Sequence, residues 1–157
     1  MHIVLVEPEI HWNTGNIGRT CVATETTLHL VGKLGFSLDA AEVRRAGLDY
    51  WPKLKLVRHE SFEAFLDSLP RHASLLFFSA RATAPFWDAP YEPESYLVFG
   101  RESTGLPKEV LRRFADRLYR IPIGPGVRSL NLSTAAAVAL YEGLRRTGLH
   151  PAGEGFA

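Results

Sequence analysis

The sequence predicts an α/β fold: a mainly parallel sheet with helices on both faces. Short unbroken apolar runs, the pattern of strands buried on two sides, recur from Ile3 to Ile121. Segments with helical spacing or helix-start signals lie between them, so strand and helix alternate along the chain. Polar, glycine-bearing loops follow several of the runs, and in a parallel sheet such loops share one edge.

Ile3 to Val6 is the first strand, ended by Glu7-Pro8. The next stretch, HWNTGNIGRT, reads as a turn at Asn13, Gly15 and Asn16, with Thr14 or Asn16 capping a helix that carries Arg19 in its first turns. Arg19 is thereby expected at the C-terminal end of the first strand. Leu28 to Val31 is the second strand, closed by Gly32 and Gly35, after which Asp39 caps a short helix through Arg45 that stops at Gly47. Leu54 to Val57 is a short third strand. Ser61 caps the helix SFEAFLDSL, whose Phe62, Phe65, Leu66 and Leu69 recur at helical spacing and read as core.

Leu75 to Phe78 is the fourth strand, leading into a small polar loop from Ser79 to Thr83. Tyr96 to Phe99 is the fifth, followed by GRESTGLP and a helix that Pro107 starts in its first turn. Leu118 to Ile121 is the sixth. Pro122 to Gly126 cannot be helical, and a polar turn holding Arg128, Ser129, Asn131 and Ser133 opens a last helix poor in charge. The tail HPAGEGFA, His150 to Ala157, is expected to fray.

At 157 residues with 46% hydrophobic composition, the chain suits a single domain spanning 1–157. Lys and Arg number 18 against 17 Asp and Glu, so no global basic field announces nucleic acid, and any such partner must meet a local patch. Arg44, Arg45, Lys53, Lys55, Arg58 and His59 form one candidate, with a solvated face as the equal reading. The lone Cys21 excludes an internal disulfide and reads as a core thiol rather than a nucleophile. The apolar run after Met1 is too short for a secretory leader and no run reaches membrane-spanning length, so a soluble cytoplasmic protein without a membrane partner is expected.

Three loops should converge: Asn13 to Arg19, Gly100 to Pro107, and Pro122 to Ser133, with Phe78 to Thr83 beside them. No G-x-G-x-x-G follows the first strand, and neither a P-loop nor a G-x-S-x-G elbow is present. The six histidines are scattered without metal-ligand spacing, so no metal is expected.

NTGNIGRT (Asn13 to Thr20), FGRESTGLP (Phe99 to Pro107) and IPIGPGVRSLNLSTAAAVALYE (Ile121 to Glu142) resemble, in order and spacing, the three signature motifs of the SPOUT class of RNA ribose 2'-O-methyltransferases. VEPEI, RRAGLDYW and the near-absence of extensions add a likeness to its short, single-domain members that modify cytidine 34 of tRNA. The resemblance implies a deep C-terminal trefoil knot and S-adenosylmethionine as methyl donor, with S-adenosylhomocysteine as product. It also implies a homodimer whose active site is shared between subunits, and as substrate the wobble nucleotide, cytidine or modified uridine, of leucine tRNAs. Ribosomal RNA, or a non-catalytic role in RNA binding or ribosome assembly, are the alternatives.

Carried over by position, Phe78, Gly100, Ile121, Ser129 and Leu130 would form the cofactor pocket, although Phe78 and Ile121 taken alone read as core. Arg19 would meet the ribose hydroxyl and its neighbouring phosphate. Glu102 would attract the sulfonium or hold its loop closed, and Tyr141 would stand near the acceptor or in the core. Asn13, Asn16 and Asn131 suit the bridging of loop backbones first, and with Arg128 complete the candidate substrate-binding set. Arg128 would bind phosphate or pair with Glu102. Ile123-Gly-Pro-Gly-Val and Ser79-Ala-Arg depart mildly from the family pattern, which leaves cofactor geometry at the Gly124–Gly126 loop open.

Overall fold

The structure, a computed structural model, describes residues 1–38, 49–149 and 151. Its elements in chain order are β1 (His2–Val6), α1 (His11–Ala23), β2 (Thr27–Val31), β3 (Leu56–His59), α2 (Phe62–Asp67), β4 (Leu75–Phe78), β5 (Ala84–Pro85), β6 (Tyr96–Phe99), α3 (Lys108–Arg113), β7 (Leu118–Arg120) and α4 (Leu132–Thr147). The strands form one seven-stranded sheet in the order β3-β2-β1-β6-β4-β7-β5, and every neighbouring pair is parallel.

The apolar runs are unbroken because both faces are covered. Ile3, Leu5, Leu28, Leu30, Leu76, Phe78, Leu97 and Phe99 point to one side, where they pack with Ile17 and Cys21 of α1 and Ala136, Ala139 and Leu140 of α4. Val4, Val6, Val31, Leu75, Phe77 and Val98 point to the other, against Phe65 of α2 and Val110 of α3. The side-chain period of two thus divides each strand between two cores. Cys21 is fully buried and burial pushes its thiol up to about 12, consistent with a packing role.

The expected strands at 28–31, 75–78, 96–99 and 118–121 recur within a residue or so. Three expectations differ. The Asn13–Asn16 segment is not a turn: α1 already begins at His11, with Ile10 at its N-cap and no side-chain cap. The third strand is Leu56–His59 rather than Leu54–Val57, because Trp51–Lys53 make a single helical turn that ends at Leu54. The two-residue β5 was not foreseen, since Ala84-Pro85 carries no apolar pattern. The helix expected from Asp39 through Arg45, and most of the tail from His150, lie outside the described residues. Ser61 caps α2 as expected, its Oγ accepting from Ala64 N at 3.1 Å.

Histidines scattered in sequence also meet. His2 Nδ1 lies 3.0 Å from His29 Nε2, and His29 Nδ1 lies 3.0 Å from His59 Nε2. The three run diagonally across β1, β2 and β3 on the α2 face, edge-on to Phe65 at His29 and His59, with His2 stacked on Tyr96. Glu94 closes the row at His2 Nε2, 3.2 Å away, and the Met1 amine lies nearby. Each internal ring nitrogen is committed to a neighbouring ring. Among the described residues no group of three or more His, Cys, Asp or Glu is placed to hold a metal ion.

Burial, then the charges of His2 and His59, lower His29 to about 4, and burial also lowers His2 and His59. The unfolded chain therefore takes up protons near the ordinary histidine value while the folded chain resists them. Stability should be full above pH 6.5 and fall progressively towards pH 4, by on the order of 2 kcal/mol for His29. Urea unfolding at a series of pH values checks this, and His29→Gln should flatten the slope over that window.

Candidate active site

Four adjacent strands, β1, β6, β4 and β7, end on one edge, and the order of connection reverses between β1 and β6. Their following loops therefore meet where open parallel sheets hold ligands. They enclose a cleft of about 680 Å3, lined by Phe78, Gly100, Ile121, Ser129 and Leu130 together with Asn13, Glu102, Arg128 and Asn131. Nine of the twelve site residues expected from sequence thus share one cavity; Asn16, Arg19 and Tyr141 do not line it.

The walls are apolar where strands end. Phe78 stacks on Phe99 with ring centroids 4.8 Å apart, which turns the ends of β4 and β6 into one aromatic surface. Gly100 follows Phe99, and the chain folds back so that Arg101 and Gly105 exchange backbone hydrogen bonds of 3.1 and 2.9 Å. A Cβ on Gly100 would lie 2.1 Å from Gly105 C and 2.2 Å from Leu106 N. Those are backbone atoms that cannot swing aside, so only glycine permits this loop.

Glu102 joins the loops. Its carboxylate accepts from Glu9 N at 2.8 Å, Ile10 N at 3.3 Å and Asn13 Nδ2 at 3.1 Å. The entrance of α1, which lacks a local cap, is thus held by a side chain far away in sequence. Asn13, only 2% exposed, in turn accepts from Asn131 Nδ2 at 2.9 Å. Asn131 is the N-cap of α4, its Oδ1 accepting from Ser133 N at 2.9 Å and Thr134 N at 3.4 Å. Of the two readings of Glu102, this geometry favours the holding of loops, and the bonds that Glu102 makes go to these groups rather than to Arg128.

Two outer acids reinforce the contact. Glu9 accepts from both the backbone N–H and the Oγ of Ser103 at 2.9 Å, which holds its carboxyl below the ordinary range. Glu7 pairs with Arg101.

Arg19 lies on the outer face of α1 with its guanidinium 4.8 Å over the ring of Tyr50. Trp12, Asn16, Arg19 and Ala23 form an exposed stripe along that helix. Tyr141 is 54% exposed, so it is neither core nor cleft, and with Thr134, Val138 and Arg145 it forms a matching exposed stripe on α4.

Ser79, Arg81 and Ile123 also line the cleft, from loops expected to converge but not named as site residues; sequence reasoning missed Ile10 and the outer pair of Glu9 with Ser103. An acid three residues beyond a buried strand was the available signal for Glu9. Tyr50, which contacts Arg19, carried none beyond its place in RRAGLDYW.

Residues 1–141 match the SpoU rRNA Methylase family. A tRNA (cytidine(34)-2'-O)-methyltransferase of Burkholderia pseudomallei is 44% identical over 149 residues, covering 94% of this chain and 96% of that protein. A structure described as giving insight into 2-OH methylation of C/U34 on tRNA superposes with a TM-score of 0.86 at 50% identity, over 92% of this chain and 94% of its own. An AdoMet-bound rRNA methyltransferase from Sinorhizobium meliloti superposes with a TM-score of 0.80 at 26% identity, over 92% of this chain and 56% of that one. Among the described residues no helix is long and apolar enough to cross a membrane. With its motifs gathered at one sheet edge and matched over nearly its full length, the chain belongs to the SpoU methylase family.

Proposed function

We propose that this protein transfers a methyl group from S-adenosylmethionine to the ribose 2'-hydroxyl of nucleotide 34 in tRNA, a cytidine or modified uridine, with leucine tRNAs as substrates. The observation that carries the reading is the arrival of Phe78, Gly100, Ile121, Ser129 and Leu130, from three separate loops, at one cleft. The name of the Burkholderia relative supplies the position, and the Sinorhizobium structure supplies the donor.

The cleft suits such a donor: its volume lies in the range of small-molecule sites, and apolar walls at Phe78, Ile121 and Leu130 adjoin the polar Ser129 and exposed loop backbone. The bound donor supplies a methyl group already activated on a sulfonium. The chain's part is then to place donor and hydroxyl in line and to stabilise charge on the attacking oxygen. Arg19 orients the hydroxyl and its phosphate. A guanidinium is a poor base and a good permanent cation. Glu102 keeps the loops closed, and Arg128 at the rim meets phosphate.

Arg19, Asn16 and Tyr141 face outward on α1 and α4, which lie side by side. We therefore place them in a homodimer, where they reach the partner's cleft and Tyr141 stands near the acceptor. The rest of the reading is a single cytoplasmic domain, its second and third motif loops forming the trefoil knot.

Mapping of 2'-O-methyl groups in RNA from cells with and without the protein should show loss at tRNA position 34. Loss in ribosomal RNA alone would redirect the reading, and failure to bind S-adenosylmethionine in calorimetry would replace it with a non-catalytic role. Gly100→Ala should abolish donor binding, while Asn13→Ala should cost about 2 kcal/mol in denaturant unfolding and weaken the donor, since a charged hydrogen bond and a buried one are lost together. Mixing Arg19→Ala subunits with Gly100→Ala subunits should restore activity through one intact site per heterodimer; no recovery would count against sharing.

A further inference from the structure

Arg19 is an exposed arginine on a helix, and such a side chain ordinarily samples many rotamers. Here it does not stand alone: its Cζ lies 4.8 Å over the ring of Tyr50. The Tyr50 hydroxyl donates to Gly15 O at 2.6 Å, one helical turn before Arg19. Trp51 and Leu54 pack on Gly18, where a Cβ would come within 3.1 Å of Trp51 Cζ3 and 3.2 Å of Leu54 Cδ2. The 50–54 segment is closed on itself by Lys53 N to Tyr50 O at 2.9 Å and Leu54 N to Trp51 O at 3.1 Å. It is docked on α1 at Gly15 and again at Gly18, so the ring is held to the helix that carries Arg19.

We infer that Tyr50 is a positioning residue for Arg19, its anchored ring and hydroxyl fixing the guanidinium while its outward N–H groups remain for RNA. The inference rests on the role proposed above for Arg19 and names the residue that sets it. A ring engages the face of a guanidinium, whereas the five N–H groups lie in its plane. A carboxylate partner would consume those donors, and among the described residues none pairs with Arg19. Burial pushes the Tyr50 phenol up, against a hydrogen bond from Arg19 and its charge, so the phenol keeps the proton that Gly15 accepts.

The test is a double-mutant cycle with Tyr50→Leu, Arg19→Ala and the pair, read as tRNA dissociation constant and, where activity remains, as kcat and KM. Tyr50→Leu should weaken tRNA by about five-fold, the factor for a cation–π contact of ~1 kcal/mol. Donor binding should not change, and the pair should match Arg19→Ala alone. Tyr50→Phe, which keeps the ring and loses the hydroxyl anchor, should lose less. The Arg19 Nε–H proton, assigned with Arg19→Lys, should show a ring-current shift that Tyr50→Leu abolishes. Equal losses from Tyr50→Leu with and without Arg19, no loss at all, or an Nε–H shift unmoved by Tyr50→Leu would overturn the inference. A wild type that binds tRNA without methylating it would sink the proposed function and leave the cycle and the resonance to judge Tyr50.

Discussion

One carboxylate ties together three segments that are distant along the chain. Glu102 takes two backbone N–H groups before α1 and the Asn13 amide within it, and Asn13 passes the connection to the cap of α4. The polarity of this series is determined from its end. Asn131 Oδ1 must accept from the α4 N–H groups, so its Nδ2 faces Asn13 Oδ1, and the Asn13 Nδ2 then requires an acceptor. A carboxylate is the group that meets that need while also serving Glu9 N and Ile10 N. Flipping either amide would set donor against donor inside a buried contact.

The same tie explains why a cleft lies here. Loops that follow parallel strands would otherwise splay into solvent, each with unpaired backbone groups. The strand order brings the ends of β1, β6, β4 and β7 side by side, and the Glu102 series then draws α1, the 100–107 loop and the start of α4 together around the rim. Gly100 sets how tightly the middle loop can turn, and the apolar ends of β4 and β6 supply the floor. Fold and site are therefore coupled: the hydrogen bonds that satisfy the entrance of α1 also define the shape of the cavity.

The parts legible in the sequence were those determined by burial. β1, β2, β4 and β6 are covered on both faces, so each appears as an unbroken apolar run whatever its neighbours do. β3 is an edge strand with a half-exposed burial pattern, and its boundary could not be read from apolar content. The Asn-Thr-Gly-Asn run misled for a different reason. These residues favour turns because their side chains compete for local backbone groups, but Asn13 spends its amide on Glu102 and Asn131, so the competition is removed and the helix extends to His11. Convergence of the polar loops was foreseeable from parallel strands alone; which side chains pair across them was not, since separations of 89 and 118 residues leave no local trace.

The position of Arg19 follows from the same geometry. With α1 beginning at His11, two helical turns lie between the helix entrance and Arg19, and the helix carries it along the outer stripe that begins at Trp12, itself 63% exposed. A helix placed with its start at the cleft and its exposed side turned outward cannot aim Trp12, Asn16, Arg19 and Ala23 back into its own cavity. On the proposed reading, Arg19 then meets a reacting hydroxyl only in the cleft of another copy, while Arg128 serves the cleft of its own chain. The exposed Val138 and Tyr141 on the adjacent α4 extend the same outward surface, with apolar area that burial against a second copy would cover. Helical phase therefore separates two faces of α1: Asn13 faces inward to build the cleft of its own chain, and Arg19, six residues on, faces outward, where on the proposed reading it serves the cleft of a second copy.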